Sequence, residues 1–285
     1  MLPYLFVRRQ KDVTPIQANR CSGVIVAVES SRGAMNRSTE WWDGLHCDRM
    51  GFLWMPLPGL WSEASTRDAI RFLGSVGASA VVVNAEPRSA KSKPRWEDGH
   101  AVEAARYMAV VRKEAERQGM RVGFTSWARL SARPSFPWAP FFDGSEFSIT
   151  QPYEVHGRTG AAYVEACLAE YRAQGHSDVW CGRGAHELDK SDDDAWRTPA
   201  QIKAHRETTP EGCAEAWWLP RGRLPGSVLD AILADRDPAR APTLPPSVVW
   251  TRAEVLAMAE RAKSARDLEA AEALRALWLG WRVKG

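Results

Sequence analysis

The sequence predicts an α/β fold, a TIM-barrel-like domain of seven or eight βα units followed by a C-terminal helical hairpin, and three observations carry that prediction. Amphipathic helical stretches alternate with short β-branched or aromatic runs; a glycine stands between each helix and the run after it; and a proline-rich segment separates the tail. With 285 residues and 45% hydrophobic content, the chain has enough apolar surface for one full core.

The repeated grammar is clearest in three places. Ser65 caps a helix with Ile70, Leu73 and Val76 on one face, Gly77 stops it, and 79–84 (SAVVVN) reads as a strand. Asp98 caps a longer helix carrying Ala101, Ala105, Met108 and Val111, which Gly119 stops before the strand 121–126 (RVGFTS). Val164, Cys167, Leu168 and Tyr171 form the third stripe, followed by Gly175 and the strand 178–181 (DVWC). Further strands are expected at 23–29, 52–57, 147–153 and 213–219. Strands alternating with helices imply a parallel sheet, and about seven such units favour a closed barrel. For the eighth unit, 3–8 offers a strand and 226–234 a helix that would close the ring. A doubly wound open sheet is the competing arrangement, but no GxGxxG follows the first strand.

The barrel is expected over 1–236. Four prolines between Asp237 and Ser247 then resist regular structure, so 237–249 reads as a stiff linker. In 250–285, Thr251 with Glu254 and Ser264 with Asp267 have capping-box spacing, predicting two short helices. Their leucines and tryptophans either pack back on the barrel or serve docking or self-association.

Composition narrows the function classes. A net charge of +3 gives no argument for nucleic acid, though it suits contact with an anionic polymer. Fourteen tryptophans exceed ordinary usage and serve either core filling or stacking on sugar faces. Five scattered cysteines without a CxxC pair read as reduced thiols. No stretch approaches the roughly 18 apolar residues of a membrane span. The opening MLPYLFVRRQ lacks the plan of a signal peptide, which places synthesis in the cytoplasm.

In such barrels the chemistry sits at the C-terminal ends of the strands, so carboxylates there are the candidates: Glu29, Glu86, Glu154, Glu187 and Glu215. Glu86 leads. Val82, Asn84 and Glu86 share a strand face, which aims Asn84 and Glu86 into the barrel mouth, where an apolar floor would raise the carboxyl pKa. The plain alternative is a loop carboxylate ahead of Pro87. By the same alternation Phe147, Ile149, Gln151 and Tyr153 share a face, putting Gln151 and Tyr153 at the rim with Glu154 beyond, as a substrate-binding set or a structural polar pair. Trp127, Trp217 and Trp218 end strands and either line a saccharide cleft or fill the core. His186 with Glu187 lacks a third ligand at metal spacing, so no metal site and no cofactor are expected. The acidic run 189–194 and the basic loop of Lys91, Lys93 and Arg95 read as solvated. No GxSxG, HExxH or Walker motif is present.

The strings VVVNAEP (81–87), GMRVGFTSWA (119–128), FSITQPYE (147–154) and AEAWW (214–218) resemble the barrel of family-25-type lysozymes and phage-encoded glycosidase-like proteins over roughly 20–235. In that family a D-x-E pair ends an inner strand and its glutamate is the general acid. Glu86 matches the glutamate, and Asn84 stands in place of the aspartate. QPYE also resembles the strand end of chitinase-like barrels, in which a tyrosine positions the substrate's N-acetyl group; Tyr153 matches, and Glu154 replaces an aspartate. The resemblance implies a cell-wall glycoside hydrolase with Glu86 as acid, Tyr153, Glu154 and Asn84 holding an N-acetylated sugar, and Glu29 in reserve. It also implies carriage in a phage tail or virion, with cell-wall polysaccharide and phage structural proteins as partners. The alternatives are a barrel that has lost turnover, kept as a structural virion protein, and a carbohydrate-binding module.

Overall fold

The computed structural model describes residues 2–30, 33–54, 56–86, 96, 98–153, 160–186 and 196–234. The expected linker 237–249 and hairpin 250–285 lie outside them, as do Glu154, Glu187, the acidic run and the basic loop.

Eight parallel strands close into a barrel: β1 (Tyr4–Val7), β2 (Gly23–Ser30), β3 (Asp48–Trp54), β4 (Ala80–Asn84), β5 (Arg121–Trp127), β6 (Phe147–Gln151), β7 (Val179–Gly184) and β8 (Glu215–Trp218). Closure comes from β1, which pairs with β2 on one side and β8 on the other. The segment 3–8 therefore supplies the first strand. A short antiparallel arm, Gly33–Ala34, folds back on the end of β2.

The outer layer is built from α1 (Pro15–Ala18), α2 (Thr39–Asp43), α3 (Glu63–Ser75), α4 (Ala101–Arg117), α5 (Trp138–Asp143), α6 (Ala161–Arg172), α7 (Pro199–Glu207) and α8 (Gly226–Leu233). Gly77 and Gly119, each at φ 68°, end α3 and α4 in the left-handed conformation that other residues avoid. Two starts differ from expectation. Ser62, not Ser65, caps α3, its side chain accepting from the Ser65 N–H. A turn of 3₁₀-helix over Asp98–His100 precedes α4, so Asp98 lies outside that helix.

Strand β3 spans 48–54 rather than 52–57. Its first residues look unlike a strand because Asp48 and Arg49 work at the barrel's lower rim, where Asp48 accepts from the Tyr4 hydroxyl (2.9 Å) and Arg49 donates to the Val76 carbonyl (2.8 Å). Gly51 leaves room for Leu73 of α3, whose methyls lie 2.2 Å from where a Cβ would stand.

Strand alternation divides the core in two. Outward side chains such as Val24, Val26, Leu53, Val83 and Phe124 meet the helices. Inward ones fill the barrel in tiers, with Tyr4, Trp180 and Phe147 low and Phe6, Phe52, Ile25, Val82 and Ile149 above them. Gly123 faces Phe147 across this interior; a Cβ there would fall 2.4 Å from the ring. The barrel is thus a packed floor rather than a pore, and polar groups above it sit on a dry base.

Candidate functional site

At the C-terminal mouth the inward positions turn polar. Asn84 is 1% exposed at the end of β4, Thr125 is buried on β5, and Gln151 is 7% exposed at the end of β6. Glu86 follows Asn84 by two residues and is half-buried. Trp54 of β3 and Trp218 of β8 cover the apolar tier from the other side. Trp218 packs on Phe6 and Phe52 at centroid distances of 5.1 and 5.5 Å, and the Arg8 guanidinium lies 4.2 Å from the Trp54 ring.

Burial pushes the Glu86 carboxyl above the ordinary carboxylate range, and hydrogen bonds from Gln151 and Asn84 pull partly against that rise. Gln151 is itself fixed. Its Nε2 donates to Thr125 Oγ1 (3.0 Å), whose hydroxyl donates to the Ile149 carbonyl (2.7 Å). Asn84 Oδ1 is buried without a hydrogen bond. Tyr153 stands near enough that burial first, and the Glu86 charge second, hold its phenol well above the usual range. The ensemble is one carboxyl poised to carry a proton, a neutral phenol, two amides, and an amide oxygen free to accept.

The groups behind the strands aim those in front. Ser126 faces outward and its hydroxyl donates to the Ala85 carbonyl (2.9 Å), pinning the backbone between Asn84 and Glu86. Tyr171 on α6 donates to the Trp127 carbonyl (2.6 Å). Arg197 donates to the carbonyls of Tyr153 (3.1 Å) and His186 (3.0 Å), and the His186 ring meets Tyr153 edge to face at 5.4 Å. A Cβ at Gly184 would lie 3.2 Å from His186 and 3.4 Å from Tyr153, so the glycine leaves that ring pair its space.

Asn84, Glu86, Gln151 and Tyr153 therefore come together. Trp127 is half-buried at the end of β5 with the Arg133 guanidinium 3.7 Å over its ring. Trp217 and Trp218 part company: adjacent strand residues point oppositely, so Trp218 reaches the mouth while Trp217, fully buried, packs in the layer beneath the helices. Glu215 points outward too, its carboxyl 3.5 Å from Arg206 Nε.

Glu29 is turned away from Glu86, against the alternation from Ile25 and Ala27. The register between β2 and β3 shifts between Ala27 and Glu29, a β-bulge that sets Glu29 opposite the outward-facing Leu53. Its Oε1 accepts from the Ser65 hydroxyl of α3 (2.8 Å). Trp54 and Arg8 are mouth residues that the strand reading passed over; the alternation from Phe52 to Trp54 was the available signal. Among the described residues no group of three or more His, Cys, Asp or Glu side chains is arranged to hold a metal, and no helix is long and apolar enough to cross a membrane.

No protein-family model and no curated protein matches the sequence. Solved structures do match. A class V chitinase from Pseudomonas fluorescens superposes with a TM-score of 0.54 at 9% identity, covering 81% of this chain and 98% of that one. A chitinase from Chromobacterium violaceum gives 0.52 at 9% identity, with the same coverage of 81% and 98%. The spore cortex-lytic enzyme SleL of Bacillus megaterium gives 0.50 at 8% identity, covering 81% and 73%. The fold is that of the chitinase barrels. Against a further match, a group II chitinase catalytic domain of Ostrinia furnacalis, the chain spans 64% of that domain's length. At these identities the likeness fixes the chitinase-type architecture and leaves the chemistry to the residues at its mouth.

Proposed function

We propose that the protein is a glycoside hydrolase acting on an N-acetylated polysaccharide, with Glu86 as proton donor. The observation that carries this reading is the Glu86 carboxyl itself, held at the mouth over an apolar floor, with its affinity for a proton raised and its orientation set by Gln151 and Asn84. Glu29 faces the helices, no second carboxylate meets Glu86 among the described residues, and this reading takes the substrate's own acetamido group as the nucleophile. As Glu86 protonates the glycosidic oxygen and the C–O bond breaks, the acetamido oxygen bonds to the anomeric carbon. Water then attacks that carbon, displacing the acetamido oxygen, and gives a proton to the Glu86 carboxylate. Tyr153 and the unpartnered Asn84 oxygen are placed to orient the acetamido group, donating to its carbonyl and accepting from its N–H.

Within this reading, Trp218 and Trp127 supply stacking surfaces, and Glu154 is assigned beside Tyr153 on sequence grounds. A lysozyme-like, peptidoglycan-directed enzyme carried in a phage tail or virion is the finer form of the proposal; its support is the sequence resemblance. The second reading, a barrel without turnover that binds polysaccharide or serves structurally, is favoured by one observation. Asn84 brings no charge where the resemblance expects an aspartate.

The test is release of reducing ends from peptidoglycan and from N-acetylglucosamine oligomers by the wild-type protein and by Glu86→Gln. Wild-type turnover that falls at least about a hundredfold in the variant is the expected result. Equal activity in both removes Glu86 from the chemistry, and binding without product from either selects the second reading.

A further inference from the structure

A second concavity lies behind the strands. A cavity of about 180 Å³ is enclosed by the outward ends of β2 and β3, the loop leading into α3, the first turn of α3, and α4. Its walls include Glu29, Leu53, Leu57, Trp61, Ser65 and Tyr107. Trp61 and Tyr107 meet at 5.0 Å with their planes 76° apart, an aromatic corner. Leu60, 57% exposed, marks the way in.

The charge balance of this cavity is one-sided. Among the described residues no lysine, arginine or histidine contributes to the lining, which leaves Glu29 as its one carboxyl. One Glu29 oxygen takes the Ser65 hydroxyl, and the other is buried with no hydrogen bond. Arg37, whose charge favours the ionised form of Glu29, is ion-paired to Asp68. Burial holds the Glu29 carboxyl above the ordinary carboxylate range, and a ligand that brings positive charge offsets the cost of ionising it. The aromatic corner beside it, whose Trp61 ring already draws the Arg106 guanidinium to 5.9 Å, attracts the same charge and suits a headgroup with methyl substituents. Anions are disfavoured by sign.

We propose that this cavity is a binding site for a small organic ammonium, held between Glu29 and the Trp61–Tyr107 corner. Trp54 borders both this cavity and the mouth, but the β2 bulge turns Glu29 away from Glu86, so the proposal does not depend on the hydrolase reading.

The experiment is calorimetric titration of the full chain with tetramethylammonium chloride at constant ionic strength, with methyl glucoside as neutral control and sodium acetate as anionic control. Saturable binding of the ammonium alone, tighter than about 10 mM, is expected. Glu29→Gln should weaken it at least about tenfold, as should Leu57→Trp, which fills the cavity and leaves the carboxyl in place, while Glu86→Gln binds as the wild type does. Absence of saturable ammonium binding, equal binding of the glucoside, or undiminished affinity in either cavity variant that retains the native near-ultraviolet spectrum would overturn the proposal. Should neither variant fold, the wild-type comparison of ammonium against glucoside decides it alone.

Discussion

Two carboxylates are held in low-dielectric surroundings in this molecule and are treated in opposite ways. Glu114, on α4 and 1% exposed, is met by Arg71 (2.9 Å), Arg117 (3.1 Å) and Arg67 (3.4 Å). Burial pushes its pKa up, but bonds from Arg71 and Arg117 outweigh that and hold it below the ordinary range. Among the described residues Glu86 receives two neutral amides and no cation, and burial wins. Glu114 is thereby an ionised clasp joining α3 to α4, whereas Glu86 is kept ready to hold a proton. Under the proposed function, a carboxyl that must exchange a proton lacks, among the described residues, the partner that would make it a structural ion.

Removing the clasp has the larger thermodynamic effect. Glu114→Gln should lower stability at pH 7 by about 2 kcal/mol, the scale of lost hydrogen bonds to charged groups, because the arginines are partly exposed and can be resolvated. The pH sign follows from the lowered pKa. The native state binds its proton less readily than the unfolded chain, so the contribution is present above the unfolded carboxyl pKa and fades as pH falls through the folded value. Urea denaturation at pH 7 and pH 3 checks this, and a deficit that persists undiminished at the lower pH would remove the ionic account.

For Glu86 the sign reverses and the effect is smaller. A raised pKa means that the folded state binds the proton more tightly, so its contribution is full below the unfolded pKa and is lost as pH rises through the folded one. Above the unfolded pKa the glutamate is therefore a burden on the folded state. Glu86→Gln should raise stability there by up to about 1 kcal/mol, with the gain vanishing near pH 4. A thermal melt at each pH tests it; destabilisation at pH 7 would mean that Glu86 is a structural ion like Glu114, and the contrast would collapse.

Much of this arrangement was legible beforehand, and the failures have local causes. Helix-stopping glycines at 77, 119 and 175 marked βα units because positive φ is a backbone requirement that leaves a residue signature. Alternation placed Asn84, Glu86, Gln151 and Tyr153 together because β4 and β6 run without irregularity into the mouth. The same rule misplaced Glu29, since one extra residue in β2 turns everything after it to the other face, and a bulge among valines has no composition signal. Strand β3 was cut short because its polar start serves the lower rim. Trp217 and Trp218 could be told apart only once the register of β8 was known.

The smallest effect tests how finely the amides set Glu86. Gln151 donates to the carboxyl and is held by Thr125, so Gln151→Leu removes a bond that favours the ionised form while keeping similar volume. The Glu86 pKa should move further up, because a hydrogen bond that favours the ionised form is gone. In a carbon-13 titration of the side-chain carboxyls, one resonance, assigned by its absence from Glu86→Gln, should shift its midpoint upward in the Gln151 variant. Under the proposed hydrolysis the alkaline limb of the pH–rate profile should move with it, because an acid that holds its proton to higher pH remains competent there. A Glu86 midpoint that stays fixed would mean that burial alone sets the proton affinity and that Gln151 serves the substrate.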